Sequence, residues 1–571
     1  MSALEPVAAV KAITAYRVPR PEIPVDLVLD GNEGRPPSEA LLEVIPEAGP
    51  ELLRRYPHAD AVTERAAAQF GVPADHVLVT AGADDAFDRI IRAVIAPGRS
   101  MVIPGPTFSM IARFVTLCGG QVVSVPWHEA TYPLQAVLAA LTPDTRAVAV
   151  VSPNNPSGAL ASRQDVERLA AAAPQAIVVV DHAYVEFGGE DLTALCRERP
   201  NVVALRTLSK AWGLAGLRVG FAVAVPEIIG WLQTAGHPYA VSGPSLALAA
   251  RWLDTGAPAK ERYVARVREE RGALESLLET AGARVSPSAA NFAFARVDDA
   301  LWVRDGLAGF GIGIRAFPED PELADAVRIT CPGDAAEFER LTHALRTLLS
   351  PEAILFDMDG VLADVSRSYR QAILGTAAQL GVTLTAQDIA AEKSRGDANN
   401  DWVLTQRLLA ARGVSASLSD VTRRFEALYQ GTAETPGLYR EETLLVSREQ
   451  LAAWRTRFRL GVVTGRPRHD AERFLSQHGL ADLFDAVVVM QDGPRKPDPA
   501  PVRLALSRLG VTRAWMIGDT PDDIRAARAA GALPVGVMFD GEGSDAAALA
   551  LTRAGAACVL TSPAALEERL P

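Results

Sequence analysis

Two successive patterns of apolar and polar positions run along this chain. Between Val77 and Val225, short β-branched runs alternate with polar-faced stretches of helix length. The runs are Val77-Leu-Val-Thr80, Met101-Val-Ile103, Gln121-Val-Val-Ser-Val125, and residues 147–151, 177–180 and 202–205. This alternation predicts α/β architecture with a mainly parallel sheet. Residues 334–350 read as an amphipathic helix with Phe338, Leu341, Leu345 and Leu348 on one face. Pro351 then interrupts, and a second series begins with Ala353-Ile-Leu-Phe-Asp-Met-Asp-Gly-Val-Leu362 and returns at 460–464 and 514–518. Between Asp364 and about Leu451 the chain is helical and charge-rich. No Gly/Ser spacer separates the halves, so the expectation is two domains, 1–350 and 351–571, held close rather than loosely tethered.

Composition narrows the picture. At 571 residues and 49% hydrophobic content, two or more cores are expected. A net charge of −12 disfavours nucleic acid or an anionic membrane as the main partner. Cys118, Cys196, Cys331 and Cys558 are scattered, with no Cys-x-x-Cys pair, so reduced structural thiols are expected. With no apolar run near the ~18 residues of a membrane span and no leader pattern, the chain is expected to be soluble and cytoplasmic.

In parallel sheets, ligands gather at the carboxyl ends of strands, and the residues after each run form a coherent set. Ala81-Gly-Ala-Asp-Asp85 offers small residues whose N–H groups can open a helix toward an anion. Pro104-Gly-Pro-Thr-Phe108 presents a ring for stacking, and Ser152-Pro-Asn-Asn-Pro-Ser-Gly158 is turn-rich. Asp181-His-Ala-Tyr184 leaves a carboxylate at the end of four apolar residues, where it needs a cationic partner such as a protonated pyridine. Thr207-Leu-Ser-Lys210 supplies an amine beside a hydroxyl, with Arg218 eight residues on.

These features, in this order, resemble the fold-type I pyridoxal-phosphate aminotransferases, and most closely the histidinol-phosphate aminotransferases, over about residues 10–350. Leu29-Asp-Gly-Asn-Glu33, Arg55-Tyr-Pro57, Pro238-Tyr239 and Val327-Arg-Ile-Thr330 extend the likeness. The resemblance implies that Lys210 holds the cofactor covalently and shuttles the substrate's proton, while Asp181 keeps the pyridine nitrogen protonated. Asn155 and Tyr184 would bond the ring oxygen, Phe108 would stack, and Ala83, Asp84, Ser209 and Arg218 would surround the phosphate. Tyr56 would reach the phosphate in a neighbouring subunit, which implies a homodimer. Arg328, helped by Arg315 and Tyr16, would grip the substrate's anionic group. Two positions depart from the family: His182 stands where glutamate is usual, and Gly34 where Asn or Tyr commonly follows Asn-Glu. His182 reads as a neutral, locally hydrogen-bonded histidine rather than a catalytic one.

In the second half, Asp357 and Asp359 are two apart at a strand end, where period-two geometry points both the same way and a divalent cation would relieve their repulsion. Thr464, Lys496 in Arg-Lys-Pro-Asp-Pro, and Asp519 with Asp523 end the later segments. This ordered set resembles the haloacid-dehalogenase-type phosphatases over about 352–571, with a helical cap near 364–451. By resemblance, Asp357 is the nucleophile and Asp359 the acid and base, and Thr464 and Lys496 bind the phosphoryl oxygens. Mg²⁺ would sit on Asp357, the Asp359 backbone carbonyl and Asp519, with Asp523 in support. Ser368, Tyr369, Arg370, Lys393 and residues 399–402 are the candidate substrate contacts of the cap.

The expected fold is therefore a type I PLP-transferase, with a large domain and a small one, followed by a Rossmann-like hydrolase with a helical cap. The expected function is bifunctional: glutamate-dependent transamination of imidazole-acetol phosphate to histidinol phosphate, then hydrolysis to histidinol. Alternatives are a specialised-metabolism pair or a threonine-phosphate-type decarboxylase acting on another amino phosphate ester. A regulatory protein with one inactive domain is a third, against which the completeness of both residue sets counts.

Overall fold

The computed structural model describes residues 4–15, 22–128, 130–393, 395–396, 400–538 and 545–571. The chain divides into two compact units, one built mainly from 29–300 and 314–338, the other from 301–313 and 339–571 together with the described part of 19–28.

The first unit is built on a seven-stranded sheet. Its order is Val77–Thr80, Gly220–Val223, Val202–Thr207, Ile177–Asp181, Thr145–Val151, Ser100–Gly105, Gln121–Pro126. Only Gly220–Val223 runs against its neighbours, pairing antiparallel with Val77–Thr80 and Val202–Thr207; the other pairings are parallel. The central strands are buried on both faces, which is why they read as continuous Val/Ala/Leu runs rather than as alternation. Ile90, Ile91, Met101, Val179 and Leu205 pack on one face, and Val102, Val148, Val178 and Leu169 on the other. A separate antiparallel sheet has the order Arg315–Ala316, Ala326–Thr330, Phe292–Arg296, Arg284–Ser286. Large sheet plus small sheet is the architecture expected for the first half.

The second unit carries a parallel six-stranded sheet in the order Ala486–Val488, Arg459–Val463, Ala353–Phe356, Ala514–Gly518, Leu533–Val537, Cys558–Leu560. Helices Tyr369–Gln379, Asp401–Ala411 and Leu418–Tyr429 lie in the chain between the first two strands of this sheet, Ala353–Phe356 and Arg459–Val463. The helix Ala335–Leu349 crosses the division between units at 338/339. Its last turns belong to the second unit, where the Trp515 indole N–H donates to the Thr347 carbonyl at 2.8 Å and the Trp302 ring meets Trp515 edge-on at 5.5 Å. Among the described residues no helix is long and apolar enough to cross a membrane.

Candidate active sites

Lys210 follows the Val202–Thr207 strand, and its ammonium donates to the Gly31 carbonyl at 2.9 Å, 5.7 Å from the centre of the Tyr184 ring. The Gly31–Gly34 loop can come this close because position 34 has no side chain. A Cβ there would lie 2.0 Å from the Lys210 carbonyl, which accounts for glycine where the family carries something larger. Ser209 is buried, and its hydroxyl accepts from Thr207 at 2.9 Å.

Asp181 ends the neighbouring strand and is 5% exposed. Its carboxylate accepts the Ala183 N–H at 3.0 Å. Burial pushes its pKa up to about 7, with the Ala183 bond and the more distant Lys210 opposing. A buried carboxylate of this kind is stabilised by a cation brought against it, and a protonated pyridine fits that need. His182 is held on both sides: Nδ1 meets the Ser152 carbonyl at 2.8 Å and Nε2 accepts the Leu192 N–H at 3.1 Å. An Nε2 that accepts requires the neutral ring, and burial lowers the pKa to about 4.

The helix Gly82–Val94 opens beside Arg218. Arg218 adopts φ +54°, unusual for a side-chain-bearing residue, and donates to Asp84 at 3.2 Å. Gly82 has φ +80°, and a Cβ on it would lie 2.5 Å from the Arg218 guanidinium. N–H groups of the first helical turn, small Ala83 and the adjacent guanidinium make a cradle whose chemistry suits a phosphate. Phe108 is half-buried on the sheet's core.

On the small sheet, Arg328 stands opposite Arg315 in register. Arg328 donates to Asn155 Oδ1 and to the Asp30 carbonyl, both at 2.5 Å, and lies over the Phe292 ring. Arg315 lies over Phe317, and its Nη1 is buried without a hydrogen-bond partner. Tyr184 accepts at 3.0 Å from Asn32, whose own side chain accepts from Thr330 at 2.9 Å. Asn32, at φ +53°, ties the loop at 29–34 to both Tyr184 and the small sheet. The sequence offered only its place after Gly31 as a signal for that role. Tyr56 is 73% exposed and stacks on Tyr239 at 4.6 Å. Tyr16 lies outside the described residues.

In the second unit, Asp357 leaves the end of Ala353–Phe356 and accepts from Lys496 at 2.8 Å. Lys496 also donates to the Val463 carbonyl at 3.0 Å and pairs with Asp523 at 2.5 Å. Carboxylate oxygens of Asp357, Asp519 and Asp523 lie within 4.8 Å of one another. Burial raises the pKa of Asp357 well above the carboxylate range and that of Asp519 to about 7. Two buried carboxylates on one lysine, with half-buried Asp519 beside them, leave excess negative charge, and hard oxygen donors of this kind suit Mg²⁺. Asp523 also closes the capping box of Pro521–Ala530, accepting from the Thr520 hydroxyl at 2.6 Å. At φ +74°, Gly360 turns the chain where a Cβ would lie 2.2 Å from Asp519.

Asp359 accepts from Arg466 Nε at 2.6 Å, and the Thr464 hydroxyl accepts the Arg466 N–H at 3.1 Å. Arg466 is 2% exposed and reaches Glu442 at 2.9 and 3.2 Å. This buried network aims Asp359, and the sequence reading missed it because Glu442 lies far from Arg466 along the chain. Asp357, Asp359 and Asp519 line one pocket together with Tyr369, Lys393, Asn400, Asp401 and Trp402. Asn399 lies outside the described residues.

Residues 28–345 match the family described as aminotransferase class I and II, and 351–531 match that described as haloacid dehalogenase-like hydrolase. The chain belongs to the aminotransferase class I and II family and carries a haloacid dehalogenase-like hydrolase region after it. It is an enzyme with a transaminase part that works with pyridoxal 5′-phosphate and a phosphatase part that works with Mg²⁺.

Among its relatives is histidinol-phosphate aminotransferase 1 of Trichormus variabilis, 33% identical over 56% of this chain and 91% of that protein. The histidinol-phosphate aminotransferase of Roseiflexus castenholzii is 35% identical over 58% and 92%. Imidazoleglycerol-phosphate dehydratase of Phytophthora nicotianae is 50% identical over 195 residues, 33% of this chain, which spans 43% of that relative. The crystal structure of the Sinorhizobium meliloti histidinol-phosphate aminotransferase with pyridoxal-5′-phosphate shares the fold, with a TM-score of 0.53 at 23% identity over 61% of this chain and 98% of that one. These relatives point to histidine biosynthesis.

Proposed function

We propose that the chain catalyses two consecutive steps. The first is transamination of imidazole-acetol phosphate by glutamate to histidinol phosphate. The second is hydrolysis of that ester to histidinol and phosphate. The observation that carries this reading is that one chain holds both residue sets, an amine beside a buried carboxylate and a phosphate cradle, and a carboxylate nucleophile beside a lysine.

In the first site, pyridoxal phosphate supplies an electron sink that makes the substrate's Cα–H acidic. Lys210 takes that proton on Nζ and returns it, and Asp181 carries the negative charge that balances a protonated ring nitrogen. Asn155 and Tyr184 orient the ring, Phe108 covers its face, and Ala83, Asp84, Ser209 and Arg218 surround its phosphate. Arg328 and Arg315 present two guanidinium groups from adjacent strands, which suits a carboxylate or phosphate that each substrate must bring in turn. By resemblance, Tyr16 would help Arg328 grip that anionic group. Tyr56, Tyr239, Leu53 and Leu42 are large apolar side chains left exposed on this unit, consistent with a homodimer in which Tyr56 serves the partner's site.

In the second site, an Asp357 oxygen attacks phosphorus while the ester P–O bond breaks, and Asp359 gives its proton to the departing alkoxide. Asp359 then takes a proton from water, which displaces Asp357 from phosphorus and frees phosphate. Thr464 and Lys496 hold the phosphoryl oxygens. Asp357, Asp519 and the Asp359 carbonyl, with Asp523 in support, would hold Mg²⁺, which would offset the charge gathering there. We place the boundary between the activities at Pro351, with residues 364–451 as the cap and the cytoplasm as the setting.

The test is to supply purified protein with pyridoxal phosphate, Mg²⁺, glutamate and imidazole-acetol phosphate. Histidinol and inorganic phosphate should accumulate, and Asp357→Asn should stop at histidinol phosphate. Absence of phosphate release from histidinol phosphate by the wild type sinks the second step; absence of amino transfer sinks the first.

A further inference from the structure

The pocket above Asp357 has a wall that the hydrolytic chemistry does not use. Asp401 opens the helix Asp401–Ala411 and lines that pocket beside Asn400 and Trp402. It is not needed to cap its helix, because Asn400 Oδ1 already accepts the N–H groups of Trp402 and Val403 at 3.0 Å each. Its side chain is 13% exposed, and among the described residues no hydrogen-bond donor reaches its buried Oδ1. The nearest cation is the Lys393 ammonium at 3.7 Å, an ion pair too long to be a hydrogen bond. Trp402 is anchored by its indole N–H on Glu426 at 3.1 Å, so the wall is held in place.

Charge bookkeeping then separates the two ends of the pocket. The other basic residue lining it, Arg466, is committed to Asp359 and Glu442. With the phosphoryl group of an entering ester held by Thr464, Lys496 and the metal, Asp401 on the wall of the same pocket is left to the alcohol part of the ester. Lys393, Arg370 and Arg466 all act on Asp401 through space, yet none donates a hydrogen bond to its Oδ1, and a buried carboxylate oxygen in that position is stabilised by a donor that an incoming molecule brings.

We propose that Asp401 accepts a protonated amine of the phosphatase's substrate, so that this site selects phosphomonoesters carrying an ammonium group near the ester and rejects esters without one. The assignment rests on the reading of this unit as a phosphomonoesterase, and it names the substrate class by a feature distinct from the phosphate.

The test compares esters that differ only in the amine. L-histidinol phosphate is set against 3-(imidazol-4-yl)propyl phosphate, and O-phosphoethanolamine against ethyl phosphate. Wild type should favour the aminated member by roughly 10- to 100-fold in kcat/KM, and Asp401→Asn should cut that preference to within about 3-fold while sparing the amine-free ester. The same preference should appear as binding affinity in calorimetry on Asp357→Asn protein, which cannot turn the ester over, and should vanish in Asp357→Asn/Asp401→Asn. Equal losses on both members of a pair would mean that Asp401 acts through Lys393 or through folding, and the proposal falls. It falls equally if wild type shows no preference in either pair. If histidinol phosphate is not hydrolysed but O-phosphoethanolamine outruns or outbinds ethyl phosphate in an Asp401-dependent way, the histidine reading fails and this one stands.

Discussion

His182 and Asp181 are adjacent, equally buried, and perturbed in opposite senses. Burial holds His182 near 4, whereas a histidine in an unfolded chain titrates near 6.5. Between those values the unfolded state binds the extra proton, so stability present above pH 6.5 is lost as the pH falls toward 4. The loss is at most roughly 3 kcal/mol. Asp181, raised to about 7 by burial, gains stability over the same interval and opposes this loss, so the His182 contribution is read as a difference: in urea unfolding the stability of wild type relative to His182→Gln should fall between pH 7 and pH 5. Asp181→Asn keeps the shape of the side chain and removes the charge that balances a ring cation. Amino transfer should fall by about 100-fold or more while phosphate release is unchanged, which parallel assays of the two activities would show. Asp181 and Asp357 were legible in the sequence because each directly follows an apolar run, Lys210 because it stands beside a hydroxyl in the loop after one, and Lys496 because Arg-Lys-Pro-Asp-Pro falls in order between the runs ending at Thr464 and Asp519. Arg466 and Asn32 were not, since their partners Glu442, Tyr184 and Thr330 are brought to them only by folding.

At the scale of elements, the strands with uninterrupted apolar runs were legible to within two residues: the expected 147–151 became Thr145–Val151 and 202–205 became Val202–Thr207. Burial on both faces writes such strands plainly into composition. Arg315–Ala316 and Arg284–Ser286 were not foreseen; two or three residues carry no period, and their pairing is decided by the neighbouring strand. The turn into Gly82–Val94 is the most constrained of these junctions. Gly82→Ala puts a methyl against the Arg218 guanidinium at a φ of +80°, a conformation costing a side chain ~1–2 kcal/mol. The dissociation constant for pyridoxal phosphate should rise about 10-fold, read by the cofactor's absorbance during titration. An unchanged constant would show that the cradle adapts.

For the molecule as a whole, the two activities should separate by cofactor. Chelation with EDTA should abolish phosphate release and leave glutamate-dependent amino transfer intact, and added Mg²⁺ should restore the former. Loss of both on chelation would show that the two sites do not operate independently. The presence of two chemistries was legible because each motif set is complete and ordered within its half. The course of the helix Ala335–Leu349 was legible as an apolar stripe, but not the indole bond that its Thr347 carbonyl receives, because a stripe does not name what it covers. That bond has a practical consequence for anyone wishing to excise the hydrolase. A gene fragment starting at Pro351 would discard the turn that accepts from Trp515, leaving one of the largest fully buried side chains uncapped and its ring open to water. Such a fragment should express as aggregate, whereas one that begins upstream of Leu301 keeps both the Thr347 carbonyl and the Trp302 ring against Trp515 and should stay in solution.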